Sequence, residues 1–123
     1  VWTWAGKWAA RTDDVLNWVP ARLTGLGLMV LGARKRAAWA RWPAQARVTP
    51  SPNGGWPMAA LALVLGVRLG KPDVYTLNPA GRPPLAADIP RALAVASAVV
   101  GLCAGVAALG AAAVLWLAGG STA

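Results

Sequence analysis

The chain has no histidine, no glutamate and no phenylalanine, and it carries one cysteine. Without histidine, and with one thiol, a His- or Cys-based zinc site cannot form within one chain. An internal disulfide is excluded, and so is a Ser-His-Asp triad. Any catalysis must run on Asp, Asn, Ser, Tyr, Arg, Lys, the backbone or a bound metal. Acid is scarce: four Asp stand against twelve Lys and Arg, for a net charge of +8. Only 13% of residues are charged, where an ordinary soluble domain has roughly 25%. At 57% hydrophobic, the chain is not a disordered tail, which needs low hydrophobicity with high charge. A length of 123 residues allows one domain at most.

Charge is also missing from one whole region. Every charged residue lies at or before Arg91, and the last 32 residues carry none. Ala92 to Ala118 is free of charge and of proline. As a helix it is roughly 40 Å long, enough to cross a hydrocarbon core of roughly 30 Å. A water-soluble helix of that length would show a polar stripe. Within it, Gly101 and Gly105 form a G-x-x-x-G pattern that lets two helices approach closely. Cys103 reads as a small packing residue with an inert thiol.

Two further apolar runs are weaker. Val15–Gly32 is interrupted by Asn17, Pro20 and Arg22, and spans only if those groups face protein or water. Trp56–Leu69, ending near Arg68, is short enough for a re-entrant, interfacial or protein-buried helix. The expected class is therefore an all-α, integral membrane helical fragment, with one clear transmembrane helix and two polar-interrupted or short membrane-associated helices. Its segments are a Trp-rich helix and first apolar run over 1–33, a basic loop over 34–55, a short helix over 56–70, a polar loop over 71–91 and the span over 92–118.

Arg34, Lys35, Arg36, Arg41 and Arg47 lie together without an acid. The positive-inside rule puts them, and the stretch 34–91, in the cytoplasm. The last helix then leaves the cytoplasm and carries Ser121–Ala123 outside. Trp39, Trp42 and Trp116 fall where an interfacial aromatic belt would sit, and Trp2, Trp4 and Trp8 mark an N-terminal helical stretch. A pI near 11.5 also fits nucleic-acid binding. However, the charge flanks apolar runs rather than forming an aromatic-interleaved stripe, so no nucleic acid is expected. The chain starts at Val1 without a recognisable signal peptide, and reads as a C-terminal portion of a longer protein.

Three stretches carry chemistry. In TDDVLNWVPARLT, helical spacing puts Asp13 and Asn17 on one face and makes Asp14 and Asn17 neighbours. Two carboxylates and an amide are oxygen ligands suited to Mg²⁺. The same residues equally suit a helix N-cap at Thr12 or Asp13, with acids at the positive end of the dipole. In TPSPNGGWP, Gly54 and Gly55 permit close backbone approach and the helix opening at Trp56-Pro57 could cradle phosphate, although the pattern also suits a plain connector. In GVRLGKP followed by VYTLNPAGRPP, Arg68, Lys71 and Arg82 either gather around an anion or are solvated turn residues.

In order, DDVLNWVPARLT, SPNGGWPMAALALVLGVRLG and VYTLNPAGRPP followed by DIPRAL resemble the C-terminal half of the CobD/CbiB family, the adenosylcobinamide-phosphate synthases of the bacterial inner membrane. The resemblance implies ATP-dependent amide formation in cobalamin biosynthesis. Aminopropanol, or its phosphate, is joined to the free propionate of adenosylcobyric acid, activated as an acyl phosphate. It further implies ATP and Mg²⁺, a corrinoid substrate, membrane lipid and the N-terminal half of the same protein as partners. By the same resemblance, Asp13 and Asp14 hold Mg²⁺ or accept the amine's proton, while Asn17 and Arg22 orient or neutralise phosphate. Ser51, Asn53, Gly54 and Gly55 form the polar turn of the site. Arg68 and Tyr75 add contacts, and Trp56 offers a flat surface to a corrin or nucleotide. Family members usually carry an acid where this chain has Met58, and an upstream half with further membrane helices. Alone, this portion is expected to be inactive. The alternative is a non-enzymatic membrane subunit that packs through Gly101 and Gly105.

Overall fold

The computed structural model describes residues 2–120, so the expectation for Ser121–Ala123 lies outside the described residues. Among the described residues, five helices and one small hairpin follow in the order α1 (Trp2–Leu16), α2 (Trp18–Gly32), α3 (Arg36–Ala46), α4 (Gly55–Leu65), β1 (Leu69–Lys71), β2 (Tyr75–Leu77) and α5 (Asp88–Gly119). The all-α membrane class holds. α5 is long and apolar enough to cross a membrane and is almost wholly uncovered by the rest of the chain.

α4 is the centre of the packing. Its sequence is apolar on all sides, and Ala59, Ala60 and Ala62 are fully buried. Small side chains let α2, α3 and α5 all close on it. Glycines on α2 bring the backbones closer still. A Cβ on Gly25 would stand 2.7 Å from the Trp42 ring and 3.0 Å from the Trp56 carbonyl oxygen, and one on Gly32 would strike Val64. Gly25 against Trp56 and Gly32 against Val64 means that α2 and α4 run parallel. Parallel neighbours need a return segment, and α3 provides it. Val99 of α5 packs over Gly27, while Arg91 and Val95 lie beside Leu31–Arg34, so α5 runs antiparallel to α2.

This arrangement corrects the reading of 34–55 as a loop. Residues 36–46 form a helix, and Trp42, expected at an interface, is buried with its indole N–H donating to the Trp56 carbonyl at 2.9 Å. The basic corner 33–35 and the SPNGG turn stand at opposite ends of α4, which over 11 residues separates them by roughly 15 Å. The short helix also ends earlier than expected. Gly66 takes φ +68°, and the Val67 N–H bonds back to the Ala62 carbonyl at 3.0 Å, a Schellman-type stop.

Beyond it, the antiparallel β1–β2 hairpin pairs Leu69 with Leu77 and Lys71 with Tyr75. Buried Asn78 then locks the turn. Its side-chain amide donates to the Val67 carbonyl at 3.0 Å, its backbone N–H donates to Gln45 at 2.6 Å, and its side-chain oxygen accepts from Arg41 at 2.9 Å. Arg82 pairs with Asp88 through bonds of 2.8 and 2.5 Å, which fixes the entry into α5. Gly101 and Gly105 face open space.

Candidate functional site

α1 and α2 form one nearly continuous helix, bent by 42° at Asn17. Asn17 is bonded on both sides of the bend: its N–H donates to the Asp13 carbonyl at 2.9 Å and its carbonyl accepts from the Ala21 N–H at 3.0 Å. Pro20 is the third residue of α2, in its first turn, where a missing N–H is tolerated. The bend lies three residues before Pro20, next to the Leu16 carbonyl that Pro20 leaves without a donor.

The bend excludes the N-cap reading of the acids. Asp13 and Asp14 lie in the last turn of α1, at the negative end of its dipole. They are not N-caps, and Thr12 instead donates to the Trp8 carbonyl at 3.0 Å within the helix. Carboxylates at a helix C-terminus are electrostatically unfavourable, so helix formation does not account for them.

The second motif is brought to the first through Asn53, which is 7% exposed. Its side-chain amide donates to the Asp14 carbonyl at 2.7 Å, and its side-chain oxygen accepts from Arg22 Nη1 at 3.3 Å. Residues 39 positions apart are thus joined at the bend. Arg22 also donates to the Trp18 carbonyl at 2.9 Å. Its guanidinium lies 3.9 Å from the centre of the Trp18 ring and 4.8 Å from that of Trp56. Only Nη1 is used in these bonds, and a guanidinium has five N–H donors, so Arg22 keeps donors for an anion.

The structure changes three details. The Gly54 and Asn53 N–H groups are taken by Ser51 Oγ at 3.1 and 3.3 Å, so this turn is not an open phosphate cradle. Ser51 shapes the turn. Gly55 serves packing, because a Cβ there would collide with the Ala46 carbonyl. Trp56 meets Trp42 edge-on at 5.2 Å and shares Arg22 with Trp18, which is the more exposed of the two rings. Trp18 was not singled out from the sequence, although its i,i+4 spacing to Arg22 was legible.

Arg68 and Tyr75 stand apart from this cluster. Arg68 is exposed beside the hairpin, where its N–H donates to the Arg82 carbonyl at 2.8 Å. Tyr75 Oη reaches Met58 Sδ at 4.0 Å. Arg82 is engaged with Asp88 and does not join Arg68 and Lys71.

The donors fit Mg²⁺ in one way only. Among the described residues no three acidic, His or Cys groups converge. Adjacent helix positions point apart, and one Asp13 oxygen accepts from the Asn17 amide at 2.8 Å. A cage of protein ligands is therefore ruled out as a fit. An ion shared between a carboxylate, phosphate oxygens and water suits the set.

Residues 1–100 match the family described as CobD/Cbib protein. The chain is 47% identical over 90 residues to the probable cobalamin biosynthesis protein CobD of Methanothrix thermoacetophila, covering 70% of this chain and 28% of that one. It is 42% identical over 97 residues to the cobalamin biosynthesis protein CobD of Rhodobacter capsulatus, covering 72% and 31%. With the probable CobD of Pyrococcus furiosus the identity is 47% over 90 residues, covering 73% and 29%. The chain thus spans less than a third of the length of these relatives. No solved structure matches it significantly.

Proposed function

The chain belongs to the CobD/CbiB family, and we propose from that membership that it forms one wall of a membrane-bound cobalamin-biosynthesis enzyme. The reaction is ATP-dependent amide formation. A propionate oxygen of adenosylcobyric acid takes the terminal phosphoryl group of ATP and ADP leaves. The amine of aminopropanol, or of its phosphate, then attacks the acyl carbon, phosphate departs and a proton is lost. The enzyme resides in the inner membrane, with lipid and the remainder of the family's length as its structural partners.

The observation that supports this reading is the Asp14–Asn53–Arg22 junction. It ties the backbone of Asp14, in the last turn of α1, through Asn53 to a guanidinium with spare donors. Mg²⁺, when bound, offsets phosphate charge during phosphoryl transfer. One of the two carboxylates, Asp13 or Asp14, would hold it together with the substrate's phosphate and water. Arg22 neutralises the oxygens that gain charge, and its orientation is fixed by Asn53 and by the Trp18 and Trp56 rings. Asn17 holds Asp13 in place. Either carboxylate is available to accept the amine's proton. Trp18 presents the flat apolar surface first assigned to Trp56.

Complementation tests the proposal. The full-length parent gene should restore corrinoid synthesis to a strain that lacks the synthase, while residues 1–123 alone should not. Failure of the full-length gene despite good membrane expression would refute it.

A further inference from the structure

At the end of the α2–α4 pair remote from Arg22 and Asn53, the corner between α2 and α3 encloses a cavity of about 790 Å³. Arg34, Lys35, Arg41 and Arg91 line it, and no acidic residue does. Four cations gathered without a counter-ion repel one another. The nearest carboxylate, Asp88, lies 4.0 Å from Arg91, but it already accepts two bonds from Arg82 and one from the Leu85 N–H. Arg41 reaches only the neutral Asn78. The C-terminal ends of α2 and α4 also close here, and each supplies about half a negative charge. The start of α3 returns about half a positive one. These partial charges leave most of the four positive charges unbalanced.

Apart from Asn78 the rest of the lining is glycine and apolar residues, with Leu31 and Val95 among them. Val95 lies four residues past Arg91, the last charged residue of the chain. The cavity therefore sits where α5 passes from charged to uncharged sequence, cationic on one side and greasy on the other. We propose that it is a binding site for the headgroup phosphate of an anionic phospholipid, with the acyl chains running along α5. Basic pockets at the cytoplasmic end of membrane helices suit such headgroups.

The test is native mass spectrometry of the full chain in neutral detergent, with phosphatidylglycerol or phosphatidylcholine added. Phosphatidylglycerol should be retained about tenfold or more over phosphatidylcholine. That preference should vanish in Arg34→Gln/Lys35→Gln and persist in Lys7→Gln/Arg11→Gln, which removes the same charge from α1. Circular dichroism checks folding, and Arg91→Gln replaces the double variant if that one is misfolded. Equal loss in both double variants would overturn the site, because general attraction would then explain binding. Equal retention of the two lipids would overturn it as well. Complete displacement by millimolar inorganic phosphate would overturn the lipid assignment in favour of a soluble phosphate ligand.

Discussion

Replacing Asn53 by Ala separates two motifs that only the fold brings together. In the parent, the Asn53 amide satisfies the Asp14 carbonyl at 2.7 Å, one of the acceptors that the end of α1 leaves over. Its oxygen receives a longer bond of 3.3 Å from Arg22. A typical hydrogen bond contributes about 1 kcal/mol net, and a buried group left without its partner costs about 1–3 kcal/mol. The longer bond to the partly exposed Arg22 is worth less. The expected loss is about 2 kcal/mol, read as unfolding in detergent by tryptophan fluorescence. Asn53→Asp isolates the larger part, since it keeps an acceptor for Arg22 but sets oxygen against the Asp14 carbonyl. It should destabilise at least as much as Asn53→Ala. A double-mutant cycle with Arg22→Ala should give a coupling of roughly 0.5–1 kcal/mol. If Asn53→Ala unfolds within about 0.5 kcal/mol of the parent, the range of a neutral surface change, Asn53 does not hold the bend. The two motifs are then held together by something other than Asn53.

Three other outcomes follow from the same geometry. In the full-length parent, Asp13→Asn or Asp14→Asn should lower amide-forming turnover by at least about tenfold, that is, raise the barrier by at least about 1.4 kcal/mol; unchanged turnover in both would remove the acids from the chemistry. Gly55→Ala drives a methyl group into the Ala46 carbonyl and should cost about 1–3 kcal/mol, measured by the same unfolding; a neutral result would contradict the close approach of α3 and α4. Arg82→Ala leaves buried Asp88 without its main partner, so amide hydrogen exchange should quicken across 83–91 and remain unchanged in α2.

The membrane class was legible because it rests on one-dimensional information: an uncharged stretch longer than the bilayer and an abrupt end of charge at Arg91. Much of the candidate site was legible too. Asp13, Asp14, Asn17 and Arg22 share helical spacing, and Ser51–Trp56 announce themselves as a sharp turn before a helix. What joins the two is the parallel packing of α2 and α4, which depends on Gly25, Gly32 and three alanines, and small residues give little sign of which helix they admit. α3 was hidden because its five flanking and internal cations dominate the composition, while only Trp42 and Ala46 are buried. The acids could be read as a cap because Thr12-Asp13 looks like a helix start. Only the structure shows that α1 ends at Leu16, which puts both acids in its last turn. Arg68 and Tyr75 were grouped by order along the chain, and the hairpin carries them elsewhere.

The lone thiol of Cys103 has a use unrelated to packing. It is exposed and borders a largely apolar recess shared with Thr24, Pro57 and Met58, one residue along the helix from the Trp56 level of α4. It comes twelve residues after Arg91, about 18 Å further along α5. Within these 123 residues a nitroxide or fluorophore placed on this sulfur requires no engineered cysteine and meets no competing one. Quenchers held at known bilayer depths would then convert the label into a ruler. The reading would give the immersion of the Asp14–Arg22 junction itself, and so the distance a charged nucleotide or a corrinoid must travel from water to meet it.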